Sequence, residues 1–272
     1  MNSKAQIVVT LGPATKDREI IKQMMMHQMD IVRLNFSWGN YTEHEGYIKT
    51  VREVARELGK IIPIIQDLSG PRIQIGATHV FDSAKETILT EKDLRDLDVG
   101  IKQKVDYIAM SYVGDANDVL TLIEEIKKRG ADIPVISKIE RKKALDNIDE
   151  IINVSDGIMI ARGDLGEAIP IEQIPFVEKD IIEKCKSVHK PVITATQMMI
   201  SMTDNIAPTR AEITDIAYAI MNGSDAVMLS EETAIGKYPV EVVKIMERVI
   251  LESEKHLKNF IINPLHVKIV NL

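Results

Sequence analysis

The sequence predicts an α/β protein that folds as one closed (β/α)₈ barrel, and three observations support this prediction. Short apolar runs alternate with longer amphipathic runs, and the alternation occurs eight times. The apolar runs are mostly Ile, Val, Met and Ala without polar alternation, which is typical of strands buried on both faces. A chain of 272 residues, 45% of them apolar, has the size of one barrel. A doubly wound open sheet is the alternative, although it would usually have fewer strands.

Each apolar run predicts a strand, and the amphipathic run that follows it predicts a helix. The predicted strands are residues 5–10, 30–34, 61–66, 105–110, 133–137, 157–161, 191–195 and 225–229. The predicted helices are residues 17–28, 41–58, 91–103, 115–129, 141–152, 171–188, 209–222 and 239–257. Asp115 opens the fourth helix and Pro208-Thr209 opens the seventh, and both are helix-start signals.

Two segments lie outside this alternation. Residues 77–90 fit neither a helix nor a strand period, and we expect a long loop between the third strand and the third helix. The barrel is assigned to residues 1–258. The tail of residues 259–272 has a mixed pattern and is expected to pack on the barrel or to mediate contacts.

Composition excludes several function classes. The chain has 34 basic and 41 acidic residues, a net charge of −7 and no long block of Lys or Arg, so we expect no nucleic-acid partner. Its single cysteine, Cys185, excludes an intramolecular disulfide or a cysteine-cluster zinc site and fits a reducing cytoplasm. No apolar run approaches the roughly 18 residues of a membrane span, and the first residues do not resemble a signal peptide. We therefore expect a cytoplasmic protein without a membrane partner.

In a (β/α)₈ barrel the functional residues stand just after the strands. Lys138 and Glu140 follow the fifth strand two residues apart, so they share a face, and Asp164 follows the sixth. Two carboxylates on adjacent strands could hold Mg²⁺ or Mn²⁺, with Lys138 facing a developing enolate oxygen. The alternative is a Lys–Glu ion pair beside a solvated Asp. The turn at Gly163 could also bind a carboxylate or phosphate through its amides.

Polar residues follow other strands as well. Arg33, Asn35 and Ser37 lie on one side of the chain after the second strand, which suits a phosphate or ion site. The alternative is a hydrogen-bonded strand end. Thr196 and Ser230 follow the last two strands, where hydroxyl groups can orient a substrate or relay a proton, unless they only cap the next helix.

Long motifs at these positions resemble the catalytic barrel of the pyruvate kinase family. They include VVTLGPAT, DIVRLNFSWGNYTEH, SKIE, SDGIMIARGDLGEAIP, PVITATQMM and PTRAEITDIAYAIMNGSDAVMLSEETAIGKYPVE. The resemblance runs from about residue 4 to 250. The family's barrel is normally interrupted after the third strand by a lid domain and followed by a C-terminal regulatory domain. Residues 77–90 are therefore expected to stand in place of the lid, and we expect neither domain in this chain.

The resemblance implies an intact pyruvate half of the site. It implies that Glu140 and Asp164 bind the divalent metal and that Lys138 faces the enolate oxygen. Gly163 and Asp164 would hold the substrate carboxylate, with Thr196 beside it, and Ser230 would belong to the proton-delivery network. Residues carried over for the substrate phosphate and for the side-chain ligands of a monovalent cation are Arg33, Asn35, Ser37 and Asp67.

The nucleotide half departs from the family pattern. The family's Ser-His-Gly reads Ser37-Trp38-Gly39, its lysine before Gly-Pro reads Ser69, and one arginine reads Gln74. Its Phe-Val/Ile-Arg motif reads Tyr112-Val113-Gly114. Phosphoryl transfer requires clamped reactants and excluded water, so these changes argue against efficient ATP formation.

The sequence therefore favours a divalent-metal-dependent enzyme that forms or consumes a pyruvate-type enolate. A lyase acting on a 2-oxo acid, by retro-aldol cleavage or decarboxylation, is the first choice. A minimal pyruvate kinase acting on phosphoenolpyruvate and ADP is one alternative, and a catalytically silent sensor of phosphoenolpyruvate or a 2-oxo acid is another. The surviving barrel helices imply a homo-oligomer.

Arg72 follows Gly-Pro, where the family usually has Glu. In some branches a lysine at this position replaces K⁺. We therefore expect the guanidinium of Arg72 to reach Asp67 and to occupy the K⁺ site beside Asn35 and Ser37.

Overall fold

A computed structural model describes residues 3–75, 78–82, 84–85, 87–257 and 261–265 of the chain. The strands, numbered along the chain, are β1 Gln6–Thr10, β2 Ile31–Asn35, β3 Ile64–Asp67, β4 Arg72–Ile75, β5 Thr78–Phe81, β6 Tyr107–Met110, β7 Val135–Ile139, β8 Gly157–Ala161, β9 Val192–Ala195 and β10 Ala226–Leu229. Eight of these strands pair in parallel and close into a barrel in the order β1-β10-β9-β8-β7-β6-β3-β2. The predicted (β/α)₈ barrel is confirmed, and each barrel strand overlaps a predicted one.

Helices surround the barrel and follow its strands. They are α1 Arg18–Met26, α2 Tyr41–Glu57, α3 Glu91–Lys102, α4 Ala116–Lys128, α5 Lys142–Asp146, α6 Ile148–Val154, α7 Arg162–Ala168, α8 Ile174–Ser187, α9 Arg210–Asn222, α10 Glu231–Ala234 and α11 Pro239–Lys255. Four of the long helices begin with a reciprocal side-chain cap on the first turn, formed at Asn40, Thr90, Asp115 and Thr209. These caps satisfy backbone N–H groups that have no partner within the helix. None of the described helices has both the length and the apolar character needed to cross a bilayer.

The core has two parts, one inside the barrel and one between the barrel and the helices. Side chains from alternate strand positions, such as Val8, Ile65 and Met159, fill the interior. Leu265 joins this interior group and is 3% exposed. Its backbone exchanges two hydrogen bonds with the side chain of Gln6, at 2.9 and 3.2 Å. Residues 261–265 of the tail therefore pack at the amino-terminal end of the barrel.

The expectation of an irregular loop over residues 77–90 is wrong for its first part. Thr78–Phe81 forms β5, which pairs antiparallel with β4, and Arg72 stands opposite Phe81. The ring of Phe81 packs against Tyr112 of the barrel, with ring centroids 5.1 Å apart. This tertiary contact stabilises a hairpin whose strands are too short to give a clear period in the sequence. Residues 76, 77, 83 and 86 lie outside the described residues.

Candidate active site

A buried ammonium group lies at the centre of the carboxyl end of the barrel. The Nζ atom of Lys138 is 2.9 Å from Oε1 of Glu140 and 3.2 Å from Oδ1 of Asp67. It also donates a hydrogen bond of 2.8 Å to the hydroxyl of Ser111. Three adjacent strands, β3, β6 and β7, bring these groups together. The ammonium is held by three fixed oxygen atoms, which gives it one defined position.

The charges in this cluster stabilise one another against the cost of burial. Burial disfavours the ammonium, but the carboxylates of Asp67 and Glu140 outweigh it and raise the pKa of Lys138. Burial also works against the charged form of Asp67, yet Lys138 and Arg33 lower the pKa of that carboxyl. Glu140 differs because burial, reinforced by the charge of Asp164, raises its pKa. Lys138 therefore stays protonated at neutral pH, and Glu140 is the carboxyl group that gains most from an added cation.

Glu140 and Asp164 were predicted as metal ligands, and their chemistry fits a hard divalent cation. Glu140 is 3% exposed, and its Oε2 atom accepts a hydrogen bond of 2.6 Å from the amide of Tyr112. The charge of Asp164 acts on both Glu140 and Lys138 and raises the pKa of each. Within the part of the chain that the structure describes, no third His, Cys, Asp or Glu completes a metal site with them. Substrate and water oxygens would have to fill the other positions, as is common for Mg²⁺.

Arg33, predicted to bind the substrate phosphate, makes strong contacts within the protein. Its Nε atom lies 2.6 Å from Oδ2 of Asp67, and its Nη1 atom lies 3.1 Å from the hydroxyl of Thr10. The side chain of Arg33 is 8% exposed. Arg33 and Lys138 thus share the carboxylate of Asp67, which joins the predicted phosphate arginine to the predicted enolate lysine.

Thr196 and Gly163 lie together, as predicted. The hydroxyl of Thr196 accepts a hydrogen bond of 2.8 Å from the amide of Gly163 and donates one of 2.6 Å to the carbonyl of Ala195. Thr196 has a φ of +69°, which is strained for a β-branched residue. The guanidinium of Arg162 holds this segment by donating a hydrogen bond of 3.0 Å to the carbonyl of Thr196.

Ser230 follows β10 at the same end of the barrel and is 6% exposed. Its amide donates a hydrogen bond of 2.7 Å to Glu232. Its hydroxyl oxygen is buried and has no hydrogen-bond partner among the described residues. The hydroxyl is therefore available to a bound ligand.

The expected contact between Arg72 and Asp67 is wrong. Arg72 donates two hydrogen bonds, of 3.0 and 2.6 Å, to the carbonyl of Ser69 in its own turn. Asp67 is held by Arg33 and Lys138 instead, because these two strand residues are already buried beside it.

The other residues of the predicted monovalent-cation site remain beside the cluster. The Oδ1 atom of Asn35 accepts a hydrogen bond of 3.1 Å from the amide of Ser37. The hydroxyl oxygen of Ser37 is buried and has no hydrogen-bond partner within the described part of the chain. The replacement of K⁺ by Arg72 stays a prediction, without the contact on which it was based.

Sequence reasoning missed three residues of the site. Ser111 binds Lys138, Tyr112 supplies the amide that holds Glu140, and Arg162 fixes the backbone of Thr196. Ser111 and Tyr112 directly follow β6, and Arg162 directly follows β8. The rule that functional residues follow barrel strands could have identified all three.

Comparison with known proteins identifies the class to which this barrel belongs. A family model described as "Pyruvate kinase, barrel domain" matches residues 2–88 and 82–243. The pyruvate kinase of Sporosarcina psychrophila is 38% identical over 334 positions, which cover 92% of this chain and 57% of that protein. The enzyme of Bacillus licheniformis is 38% identical over 339 positions, covering 94% of this chain and 58% of its own length. The enzyme of Staphylococcus aureus strain MRSA252 is 37% identical over 333 positions, covering 92% and 57%.

The barrel is thus a pyruvate kinase barrel domain. The chain belongs to the pyruvate kinase family, and the predicted membership is confirmed. It spans less than two thirds of the length of the relatives named above. The alignments have more positions than the chain has residues, so these relatives contain segments that this chain lacks.

Proposed function

We propose that this barrel binds phosphoenolpyruvate or pyruvate together with a divalent cation and interconverts pyruvate and its enolate. The observation that carries the proposal is the buried Lys138 ammonium, held between Asp67 and Glu140 at the carboxyl end of the barrel. Phosphoryl transfer between phosphoenolpyruvate and a nucleoside diphosphate is the overall reaction that the names of the relatives favour.

Each residue would have a separate task. Lys138, kept protonated by its carboxylate neighbours, would stabilise negative charge on the enolate oxygen by exchanging one of its three oxygen contacts for the ligand. Glu140 and Asp164 would hold Mg²⁺ or Mn²⁺, which when bound would supply Lewis-acid polarisation of the substrate oxygens. Thr196 and the Gly163 turn would orient the substrate carboxylate, and this requires at least one of their mutual hydrogen bonds to be exchanged. Ser230, with its unpaired hydroxyl, would hold the proton that moves to or from the methyl carbon.

The lyase reaction favoured by the sequence is a weaker proposal than phosphoryl transfer. The relatives reported above are named pyruvate kinases, and none of those names supports retro-aldol cleavage or decarboxylation. Lyase and kinase chemistry would nevertheless share the enolate and the same lysine. A test of enolate formation therefore examines the common step, and the products then distinguish the two reactions.

Exchange of the pyruvate methyl protons tests enolate formation directly. The protein is incubated with pyruvate and Mg²⁺ or Mn²⁺ in D₂O, and loss of the methyl signal is followed by proton NMR. Lys138→Met should slow the exchange by a factor of about 100 or more, because it removes a preorganised charge. The control is Lys142→Met, since the side chain of Lys142 is 72% exposed. Equal exchange in Lys138→Met and the unmodified protein would overturn the proposal.

Product assays then separate the possible overall reactions. Pyruvate release from phosphoenolpyruvate that depends on ADP supports phosphoryl transfer. Pyruvate release from larger 2-oxo acids without a nucleotide supports a lyase instead. Ligand binding without any turnover or exchange would support the silent sensor.

The organisation of the chain is also proposed rather than established. We propose that the segment of residues 77–90 stands in place of the lid domain and that the protein forms a homo-oligomer. Alignments longer than the chain support the first statement. Sedimentation analysis tests the second, because a monomer at all concentrations would contradict it.

A further inference from the structure

Arg141, which directly follows the proposed metal ligand Glu140, carries an incompletely paired guanidinium group. Its side chain is 17% exposed, and its nearest carboxylate oxygen in the described structure, Oδ2 of Asp118, is 3.8 Å away. The Nε and Nη2 atoms are buried and have no hydrogen-bond partner among the described residues. Burying charged donors without partners is costly, so this guanidinium is suited to receive an anionic oxygen.

The chain leaves space for this guanidinium at Gly114. A Cβ atom built on Gly114 would overlap the Nη2 atom of Arg141. Gly114 has no positive φ angle that would require glycine, and side-chain atoms of Arg141 and Lys143 lie within 3 Å of the position that its Cβ atom would take. In the sequence, Gly114 suggests the loss of an arginine. In the structure, the guanidinium of Arg141 lies against the backbone of Gly114.

The hairpin formed by β4 and β5 supports this arginine at the site. The guanidinium of Arg141 lies over the ring of Phe81, 4.4 Å from its centroid. Phe81 packs on Tyr112, and the amide of Tyr112 binds Glu140. The aromatic pair thus links the guanidinium to the proposed metal site and restricts its rotamers without using its hydrogen-bond donors.

Lys92, another cation in this region, differs from Arg141 because all of its donors have partners. Its ammonium lies beside Ser69, where the sequence also suggests a lost cation. It donates to the carbonyl of Phe36 at 2.7 Å, the hydroxyl of Ser69 at 3.1 Å and the carboxylate of Asp96 at 2.5 Å. An ammonium has three donors, so Lys92 has none left for a ligand. Arg141 keeps two.

We propose that Arg141 forms an anion subsite that binds a second anionic group of the ligand, beyond the part held at Glu140 and Asp164. The ligand class is therefore a 2-oxo acid with a distal carboxylate, or a nucleoside diphosphate bound beside the 2-oxo acid. Both would present anionic oxygens to the Nε and Nη2 edge of the guanidinium. The inference deepens the proposed function and depends on the same site.

Two matched ligand pairs test the subsite by calorimetry in the presence of Mn²⁺. One pair is 2-oxoglutarate and pyruvate, and the other is ADP and adenosine, so the members of each pair differ by the anionic group. The unmodified protein should prefer the anionic member of at least one pair, and Arg141→Gln should reduce that preference by about tenfold or more. Oxalate needs only the metal held by Glu140 and Asp164, so its affinities for the unmodified protein and for Arg141→Gln should agree within about twofold.

A relocation variant separates ligand binding from support of the hairpin. Gly114→Arg combined with Arg141→Gln supplies a guanidinium from Gly114, the residue against which the Arg141 guanidinium lies. It should restore most of the lost preference, whereas Gly114→Ala with Arg141→Gln should not. Thermal unfolding of each variant verifies that it folds.

The results identify which anionic group binds at Arg141. They also separate the anion-subsite proposal from the proposed function. If Arg141→Gln loses only the preference for ADP over adenosine, the subsite binds a phosphate. If it loses only the preference for 2-oxoglutarate over pyruvate, the subsite binds a distal carboxylate. No preference in the unmodified protein, or an unchanged preference in Arg141→Gln, would overturn the subsite even if oxalate binds. Failure of oxalate to bind would count against the proposed function, while the ADP pair would still decide the role of Arg141.

Discussion

The hydroxyl of Thr196 accepts a hydrogen bond from the amide of Gly163 at 2.8 Å, joining the ends of two adjacent barrel strands. Thr196 makes this bond from a left-handed backbone conformation, with φ at +69°. Such a conformation costs a β-branched residue about 1–3 kcal/mol. Arg162 contributes to holding it by binding the carbonyl of Thr196. Strain maintained by neighbouring residues in this way favours a functional role for the hydroxyl.

Replacement of Thr196 should therefore separate stability from activity. Thr196→Gly relieves the backbone strain, so we expect no loss in the free energy of unfolding. Pyruvate exchange should slow by about tenfold or more, because the hydroxyl that orients the carboxylate is gone. Thr196→Ser keeps the hydroxyl and should retain most of the exchange. Unchanged exchange in the glycine variant would show that the hydroxyl has only a structural role.

Removal of the charge on Glu140 should weaken binding of a divalent cation. Burial and the charge of Asp164 raise the pKa of Glu140, so this carboxylate is strongly stabilised by a cation. Glu140→Gln should reduce Mn²⁺ affinity by about tenfold or more in a calorimetric titration. Glu172→Gln, at an exposed position, is the control. Equal affinity of the Glu140→Gln variant and the unmodified protein would exclude Glu140 as a ligand.

The pyruvate half of the site should support its reaction, enolate formation, better than the nucleotide half supports phosphoryl transfer. We expect ADP-dependent pyruvate formation from phosphoenolpyruvate to remain below about 1 s⁻¹, which is slow for an enzyme. The reason is that Trp38 and Gln74 replace polar or charged groups of the family's nucleotide half. Pyruvate methyl exchange should be the faster reaction under the same conditions. ADP-dependent turnover well above the exchange rate would contradict this expectation.

The sequence predicted the barrel well because its signals are local and repeated. Short apolar strands and capped helices each fix one element, and eight repeats leave few alternatives. The hairpin of β4 and β5 was not predicted, because it depends on the packing of Phe81 against Tyr112, which are far apart in the chain. Motif positions located Lys138, Glu140 and Asp164, since strand ends define where such residues stand.

Side-chain partners were harder to predict than positions. The sequence predicted that Arg72 contacts Asp67, but Arg33 and Lys138 bind that carboxylate instead. Residue spacing does not show which of several cations will pair with one carboxylate. Gly114 suggested a missing arginine, whereas the guanidinium of Arg141 approaches Gly114 from another loop. A long side chain can supply a group from a distant position, so a substitution in a motif does not by itself establish a lost interaction.

Asp30 should make stability depend on pH. Burial raises the pKa of Asp30 to about 6, although its carboxylate accepts a hydrogen bond of 2.9 Å from the amide of Ile7. The folded protein therefore retains this proton more tightly than the unfolded chain does. Between pH 4 and 6 this group makes the folded state less stable as the pH rises, and the cost persists at neutral pH.

Asp30→Asn removes the cost of the buried charge. We expect the free energy of unfolding at pH 7.5 to increase by about 1–3 kcal/mol, with little change below pH 4. Urea unfolding at several pH values measures the difference between the variant and the unmodified protein. Asp146→Asn, whose carboxylate is 64% exposed, should show no such difference. A gain that is the same at pH 3.5 and pH 7.5 would mean that the charge is not its cause.

Ser230 provides a test of proton delivery that does not alter the charged cluster. Its hydroxyl is buried and has no hydrogen-bond partner among the described residues, so Ser230→Ala breaks no side-chain hydrogen bond there. The free energy of unfolding should stay within about 1 kcal/mol of the original value or increase, because an unpaired hydroxyl is costly to bury. Mn²⁺ affinity should also remain unchanged, because Ser230 is not a proposed metal ligand.

Pyruvate exchange should nevertheless fall by about tenfold to a hundredfold in Ser230→Ala, since a positioned proton carrier contributes a factor of that order or more. Ser253→Ala is a matched control, because Ser253 is also 6% exposed but bonds only the carbonyl of Val249 within its own helix. If Ser230→Ala and Ser253→Ala exchange pyruvate protons at the same rate, the proton must reach the methyl carbon by another route. If Ser230→Ala loses Mn²⁺ affinity as well, its slower exchange would reflect a disturbed metal site rather than a missing proton carrier.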